Sequence, residues 1–299
     1  MTIRIASRSS KLALAQVDEF VKKFGISDYK IIKVQTEGDI KSAKGETLFD
    51  KAHFVSDVQK CLLNGEADIA VHSAKDTPAG ETAGLLRYFL PSQSNEDVLI
   101  FREEDKFNSE MKLGTSSLRR QLQAKHHLNA INIVNLSGNV DTRLEKLFQG
   151  EYDCIILAKA GLARLKLLDE LQYEVMDWST ASGQGFLCIE VLNDPSADIY
   201  DFLLKSFREI DLTLGNNISI ERRILEAINA GCNSAISIQT QSNLESENSQ
   251  LIHLGKIYGI EKYISFSGTT AEKTINDIKN QDGLKLCLLY TSPSPRDIS

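Results

Sequence analysis

Apolar and polar positions along the first two thirds of the chain switch repeatedly between two periods. Ile3–Ala6, Lys30–Gln35 and Ile69–Val71 are short apolar or alternating runs, the pattern of strands. Between them, Lys11–Phe24 repeats Leu12, Ala15, Val17 and Phe20 on overlapping helical faces, and Phe54–Leu63 predicts a second helix. After Leu85–Leu90, the polar break Pro91-Ser92-Gln93-Ser94-Asn95 reads as a linker. The alternation then restarts with Val98–Phe101, a helix from Ser117, Ile131–Asn135, a helix from Asn139 and Cys154–Leu157. Strands alternating with helices imply parallel sheets with right-handed crossovers, and two such units joined by a short break predict two lobes around a cleft.

From about Asp211 the pattern changes. Helical Ile218–Ala230 is followed by strand-like Ala235–Thr240, Leu251–Tyr258 and Tyr263–Ser267, then a helix near Thr270–Ile278, which predicts a smaller α+β domain. No repeat of fixed period is present. Residues 288–299 resemble a translated sequencing-library adapter and are set aside as a non-native tail, which implies a third domain cut short.

Composition narrows the class. The 299 residues are 42% hydrophobic and 25% charged, ordinary for a globular protein of two or three domains. A net charge of -7 argues against broad nucleic-acid binding and makes any local cluster of arginines more telling. No apolar run approaches the ~18 residues of a membrane span, and the start lacks the apolar core of a secretory signal, so a cytoplasmic protein is expected. Five scattered cysteines without CxxC spacing, and histidines without an HExxH pattern, argue against a disulfide framework or a metal site.

Four turns that each follow a strand carry charge. Asp68-Ile69-Ala70-Val71-His72-Ser73-Ala74-Lys75-Asp76 runs from a buried strand into a lysine and a carboxylate, where open α/β sheets place their chemistry. A solvated Lys-Asp pair is the plainer reading of those two residues. In Gly114-Thr115-Ser116-Ser117-Leu118-Arg119-Arg120 a glycine and three hydroxyls precede a helix whose first turn holds two arginines, against the macrodipole. Adjacent arginines point about 100° apart, so they either hold two anions or straddle one. Gly138-Asn139-Val140-Asp141-Thr142-Arg143, with Asn139 as an N-cap, and Ala6-Ser7-Arg8-Ser9-Ser10 repeat the theme. Cations lining one cleft of an acidic protein imply a polyanionic ligand, best matched by several carboxylates, because no P-loop or GxGxxG motif is present. Gly231-Cys232-Asn233 ends a helix and is either an inert core cysteine or an accessible thiol.

Taken in order, these segments resemble the porphobilinogen deaminase (hydroxymethylbilane synthase) family from Ile3 to about Ile278. Ala160-Gly161-Leu162-Ala163-Arg164-Leu165, Gly183-Gln184-Gly185 and Glu221-Arg222 extend the match, and His-Ser-x-Lys-Asp with Gly-Thr-Ser-Ser-x-Arg-Arg is its most specific part. The resemblance implies an α/β fold with two periplasmic-binding-protein-like lobes, parallel-rich sheets and a small α+β C-terminal domain. It divides the chain into residues 1–90 with a returning segment 185–210, residues 91–184, and residues 211–287. It also implies a transferase of porphyrin and haem biosynthesis that condenses four porphobilinogen molecules, releasing ammonia, into hydroxymethylbilane. A dipyrromethane cofactor would be attached through a thioether to Cys232, with Asp76 as the catalytic carboxylate. Ser73, Lys75, Thr115, Ser117, Arg119, Arg120 and Arg143 would hold that cofactor, and Arg8, Ser10 and Arg164 the substrate. A monomer working without metal, nucleic acid or membrane is implied as well.

The chain departs from the family pattern in three places. Ser137 stands where arginine is usual, Phe49-Asp50-Lys51-Ala52 and Ser56 replace a Gly-Gly-Lys-Gly loop and a later lysine, and Ser234-Ala235-Ile236 replaces Val-Pro-Ile. A polycarboxylate-binding protein, a serine hydrolase using Ser73 and Lys75, and an inactive family member are the competing readings.

Overall fold

A computed structural model describes residues 2–36, 55–91, 94–103, 106–194, 199, 213–231, 234–242 and 250–288. Outside them lie Phe54, the loop residues Phe49–Ala52, Cys232 and Asn233, most of the expected returning segment beyond residue 194, and residues 289–299 of the tail.

The first lobe is a five-stranded sheet. β1 (Ile3–Arg8), β2 (Tyr29–Val34), β3 (Ile69–Ser73), β4 (Leu85–Leu90) and β10 (Leu187–Leu192) lie in the order β2-β1-β3-β10-β4. β1 pairs in parallel with β2 and β3, whereas β10 runs antiparallel to both its neighbours. Helix α1 (Lys11–Lys23) packs on this sheet through Ala13, Val17, Phe20 and Val21, one face at helical spacing. Its first turn is closed by the Ser10 side chain, which accepts from Ala13 N at 3.2 Å. Helix α2 (Ser56–Leu63) covers part of the opposite face with Val58, Cys61 and Leu62.

The second lobe repeats the plan. β5 (Asp97–Phe101), β6 (Leu113–Gly114), β7 (Ile133–Val134), β8 (Cys154–Ala158) and β9 (Tyr173–Val175) lie in the order β7-β6-β8-β5-β9. Here β5 is the reversed strand, antiparallel to β8 and β9. Helices α3 (Leu118–Leu128), α4 (Val140–Phe148) and α5 (Lys159–Arg164) complete the lobe. Each lobe's reversed strand therefore arrives from the other lobe. β5 begins opposite the end of β8 (Asp97 beside Ala158), and β10 begins opposite the ends of β3 and β4 (Leu187 beside Ser73 and Leu90). Both crossings thus lie at the carboxyl ends of the parallel strands. The expected two-lobed, parallel-rich α/β architecture is the one observed, with a correction: Val98–Phe101 does not open a new parallel unit but is the crossing strand.

The third unit is an antiparallel sheet of β11 (Ile236–Ser242), β12 (Leu251–Tyr258) and β13 (Tyr263–Gly268) with helices α6 (Thr213–Ala227), α7 (Ala271–Asn280) and α8 (Gly283–Leu288). Its core is aliphatic, with Ile224, Ile228, Ile238, Ile257 and Ile278 buried together. It touches both lobes. Ile218 on α6 packs with Phe89, Cys188 and Ala74 of the first, and Tyr258 and Ala235 pack with Leu122 of the second.

Candidate active site

The turn after β3 is the centre of the site. β3 is buried through His72, and the chain then makes a single 3-10 turn, Ala74–Asp76. Thr77 closes that turn, its backbone N–H donating to Ala74 O at 3.2 Å and its hydroxyl to the same oxygen at 2.7 Å. The turn lies against the second crossing. Ala74 N donates to Phe186 O at 3.0 Å, and a Cβ on Gly183 (φ +72) would sit 2.9 Å from Ala74 Cβ. Only glycine allows that approach and that dihedral together.

A cleft of roughly 1160 Å³, open to solvent, separates the lobes in front of this turn. Arg8, Lys75, Arg120, Arg143 and Arg164 line it as cations, and Asp76 and Asp141 as acids. Asp141 is paired with Lys11 at 3.4 Å, just as Arg164 is paired with Glu19 and Arg120 with Asp97. Ser10, Ser73, Ser117 and Asn139 add polar groups to the wall. A second cavity of about 670 Å³ opens towards the third unit, lined by Arg119, Arg222, Ser182, Gly231 and Ser234. Lys75, Ser117 and Arg120 line both. Lys75, on the turn that carries Asp76, and Gly231, the residue preceding Cys232, therefore border the same cavity.

The arginines of α3 are not paired with the cleft alone. Asp97 is fully buried and accepts from Arg119 Nη1 at 2.8 Å, from Arg120 Nη2 at 2.6 Å and from Trp178 Nε1 at 3.1 Å. Burial opposes its ionisation, but the two guanidinium charges overcome that and hold the carboxyl well below the usual range. The adjacent arginines straddle one anion, and that anion belongs to the protein. Their placement against the helix macrodipole is thereby offset from inside the fold rather than by a ligand alone. With two arginines on one carboxylate, the cluster keeps a net positive charge facing both cavities.

Gln184 ties this cluster to the turn of the first lobe. Its Nε2 donates to Asp97 Oδ1 and Asn95 O, each at 2.8 Å, while its Oε1 accepts from Lys75 Nζ and Arg120 Nη2, each at 3.4 Å. A mirror cluster sits in the first lobe, where buried Glu190 on β10 meets His72 (3.1 Å), Arg87 (3.0 Å) and Gln59 (2.9 Å). Burial again works against charge, but His72 and Arg87 hold the Glu190 carboxyl down at about 2.

The remaining expected site residues divide by what they touch. Arg143 donates Nε to Gly138 O at 2.7 Å. Burial, then the charge of Arg120, lowers its guanidinium to about 10, still protonated at neutral pH. Among the described residues no carboxylate lies within ion-pair distance of it. Ser117 occupies the N-cap of α3 and Asn139 that of α4, and neither side chain caps its helix. Ser73 Oγ accepts from Gln16 Nε2 at 2.7 Å, and Ser10 is committed to capping α1. Thr115 is buried beneath the α3 turn, where its hydroxyl accepts from Ser117 N at 3.3 Å, and it does not line the cleft. Arg164 crosses between lobes, its Nε on Glu19 and its Nη2 on Gly185 O, both at 2.8 Å. Cys232 lies outside the described residues. No cluster of metal-ligating side chains occurs among the described residues. No described helix is long and apolar enough to cross a membrane.

Residues 3–199 match the family described as "Porphobilinogen deaminase, dipyromethane cofactor binding domain". The chain belongs to the porphobilinogen deaminase family. Relatives agree: a probable porphobilinogen deaminase of Ignicoccus hospitalis is 39% identical over 247 residues, 78% of this chain and 79% of that one. The porphobilinogen deaminase of Campylobacter fetus is 35% identical over 251 residues, 81% and 80% of the two chains. Among solved structures, the BenM effector-binding domain with benzoate is 13% identical with a TM-score of 0.43, covering 70% of this chain and 90% of that one. The probable amino-acid transporter binding protein YtmK of Bacillus subtilis is 11% identical with a TM-score of 0.40, covering 76% and 97%. The lobe architecture rests on the strand order itself.

Local sequence patterns do not single out Asp97, Glu190, Gln184, Glu19 or Arg222 as parts of the site. Two of them carried a signal. Asp97 opens the apolar run Val98–Phe101, and Glu190 interrupts Leu187–Leu192. A carboxylate inside a buried strand requires a cation somewhere in the fold. Arg119 and Arg120 answered the first, Arg87 the second. Ser137, where the family usually has arginine, leaves Arg143 as the cation of this α4 turn that lines the cleft.

Proposed function

We propose that the chain is a working porphobilinogen deaminase, a transferase that joins four porphobilinogen molecules head to tail with loss of ammonia and releases hydroxymethylbilane. The observation that carries this reading is the pair of adjoining, cation-lined cavities that share Lys75, Ser117 and Arg120, one bordered by Asp76 and the other by Gly231, the neighbour of Cys232. A dipyrromethane fits such a space, since its acetates and propionates match the guanidinium, ammonium and hydroxyl groups on its walls. In this reading Cys232 holds that cofactor, while Lys75, Ser73, Ser117, Arg120 and Arg143 receive its carboxylates. Thr115 and Arg119 act behind them. When bound, the cofactor supplies the nucleophilic pyrrole position to which substrate is added.

The chain's own groups have separable tasks. Each incoming porphobilinogen brings two carboxylates that must leave water, at several kcal/mol per ion. Charge-assisted hydrogen bonds of roughly 1.5–3 kcal/mol each offset that cost, with Arg8, Ser10 and Arg164 as the proposed substrate contacts. Loss of ammonia leaves positive charge on the substrate's pyrrole and methylene. Asp76 faces that developing charge. At ~4 Å and an effective dielectric of ~20 the attraction is about 4 kcal/mol. The three-domain division expected from the sequence, a monomer and a cytoplasmic setting complete the proposal.

Intact-mass spectrometry tests it. The purified protein should exceed its chain mass by one dipyrromethane adduct, and Cys232→Ala should remove that increment. An increment that survives the substitution would overturn the attachment site, and a bare mass in an active preparation would overturn the reading.

A further inference from the structure

Arg222 stands on helix α6 of the third unit, yet its guanidinium is spent on the first lobe. Nη1 donates to Thr77 O at 2.8 Å and Nη2 to Ala74 O and, at 3.3 Å, to Ser182 O. Ala74 and Thr77 bracket the 3-10 turn that presents Lys75 and Asp76, and Ser182 belongs to the second crossing between lobes. The side chain is 5% exposed, so these bonds form away from bulk water, where charged donors count most. The neighbouring Glu221 accepts from Thr240 N at 2.7 Å inside the third unit. Two consecutive residues of α6 thus anchor the helix to its own sheet and to the turn of another lobe.

The structure assigns Arg222 the role of a positioning residue, which sets the Asp76 turn at a fixed distance and orientation from the third unit. The assignment rests on the proposed function in one respect, namely that Asp76 acts on a chain tethered at Cys232. If the acceptor is carried by the third unit and the carboxylate by the first lobe, the link between the two units governs their register. Arg222 is the side chain that bonds both main-chain ends of the turn across that boundary. It acts through Asp76 rather than on substrate, so its loss is expected in the catalytic step and not in binding. Lysine at this position keeps the charge but cannot fork to two carbonyls.

The experiment compares Arg222→Gln, Arg222→Lys and Ile224→Val, the last trimming the buried core of the same helix without touching the turn. For Arg222→Gln, kcat should fall about 10- to 100-fold with KM within about threefold, the range for one or two lost charge-assisted hydrogen bonds. Arg222→Lys should recover part of the loss, and Ile224→Val should keep kcat within about twofold. Amide hydrogen exchange at residues 74–77 should quicken in Arg222→Gln and stay unchanged in Ile224→Val. Should Arg222→Gln not fold, Arg222→Lys is judged by the same criteria. Wild-type kcat and exchange in either arginine variant would overturn the assignment, as would a loss of activity matched by a loss of folded protein. A wild-type chain without its adduct mass would instead refute the proposed function, and the two failures are told apart by that mass.

Discussion

In the first lobe the reversed strand β10 carries Glu190 into the interior of the sheet, opposite Ala70 and Arg87, and in the second the reversed strand β5 starts with Asp97 at the carboxyl end of β8. Both carboxylates are completely buried and both are held by arginine. Glu190 has Arg87, with His72 and Gln59 as hydrogen-bond donors, while Asp97 has Arg119 and Arg120 together. The first cluster balances one arginine against one acid, and the second carries a guanidinium in excess. The first lobe then presents Asp76 on its turn, and the second presents Arg143. Both lobes bring cations to one cleft, Arg8 and Lys75 from the first and Arg120, Arg143 and Arg164 from the second. The difference teaches that equivalent crossing strands can serve different ends: Asp97 holds two arginines that also line the cavities, whereas Glu190 holds Arg87, which lines neither.

The comparison is most directly broken at Asp76. Asp76→Asn removes the first lobe's anion from the cleft and should lower kcat about a thousandfold, the rate equivalent of the ~4 kcal/mol attraction. Urea unfolding should be little changed, and near-normal turnover would sink the catalytic assignment of Asp76. The buried acids sharpen it next. Asp97→Asn strands two guanidiniums and should cost about 3–5 kcal/mol of stability. Glu190→Gln takes the carboxylate from Arg87 and His72 but leaves them an amide oxygen to bond, and should cost roughly 3 kcal/mol or less. Equal shifts in urea midpoint for the pair would remove the asymmetry argued above. The smallest effect is expected from Arg143→Gln, which should lower kcat/KM for porphobilinogen about tenfold through a less firmly held cofactor, one charge-assisted hydrogen bond. Its stability should stay near wild type because no described carboxylate depends on it.

Much of the first two thirds was legible from periodicity. The buried runs Ile69–Val71 and Cys154–Leu157 and the amphipathic Lys11–Phe24 appear as β3, β8 and α1. The reversed strands were not. Val98–Phe101 was placed at the head of a parallel unit, and Leu187–Leu192 was not read as a strand at all. An apolar run reports burial on both faces, and its direction in a sheet depends on where the chain comes from. β7 (Ile133–Val134) falls inside the expected Ile131–Asn135, whereas β6, with two residues, is too short for any period to register.

Motif positions were equally legible, because a turn that follows a strand and opens a helix is local. Ser73–Asp76, Gly114–Arg120 and Gly138–Arg143 all reach the cleft region from such turns. Partners were not legible. Arg120 meets Asp97 from 23 residues away, Arg164 meets Glu19 across 145, and Arg222 reaches Thr77 across another 145.

By itself, then, the sequence determined most of the strands and helices, which turns carry charge, and to which family the chain belongs. Those properties depend on residues near one another along the chain. Only the tertiary structure decided that Arg119 and Arg120 answer an internal carboxylate, that Arg143 has no such answer among the described residues, and that the third unit grips the Asp76 turn through Arg222. The physical reason is that composition counts charges, whereas an ion pair needs two of them a few ångströms apart. That distance is set by sheet crossings and helix packing, which no local period encodes.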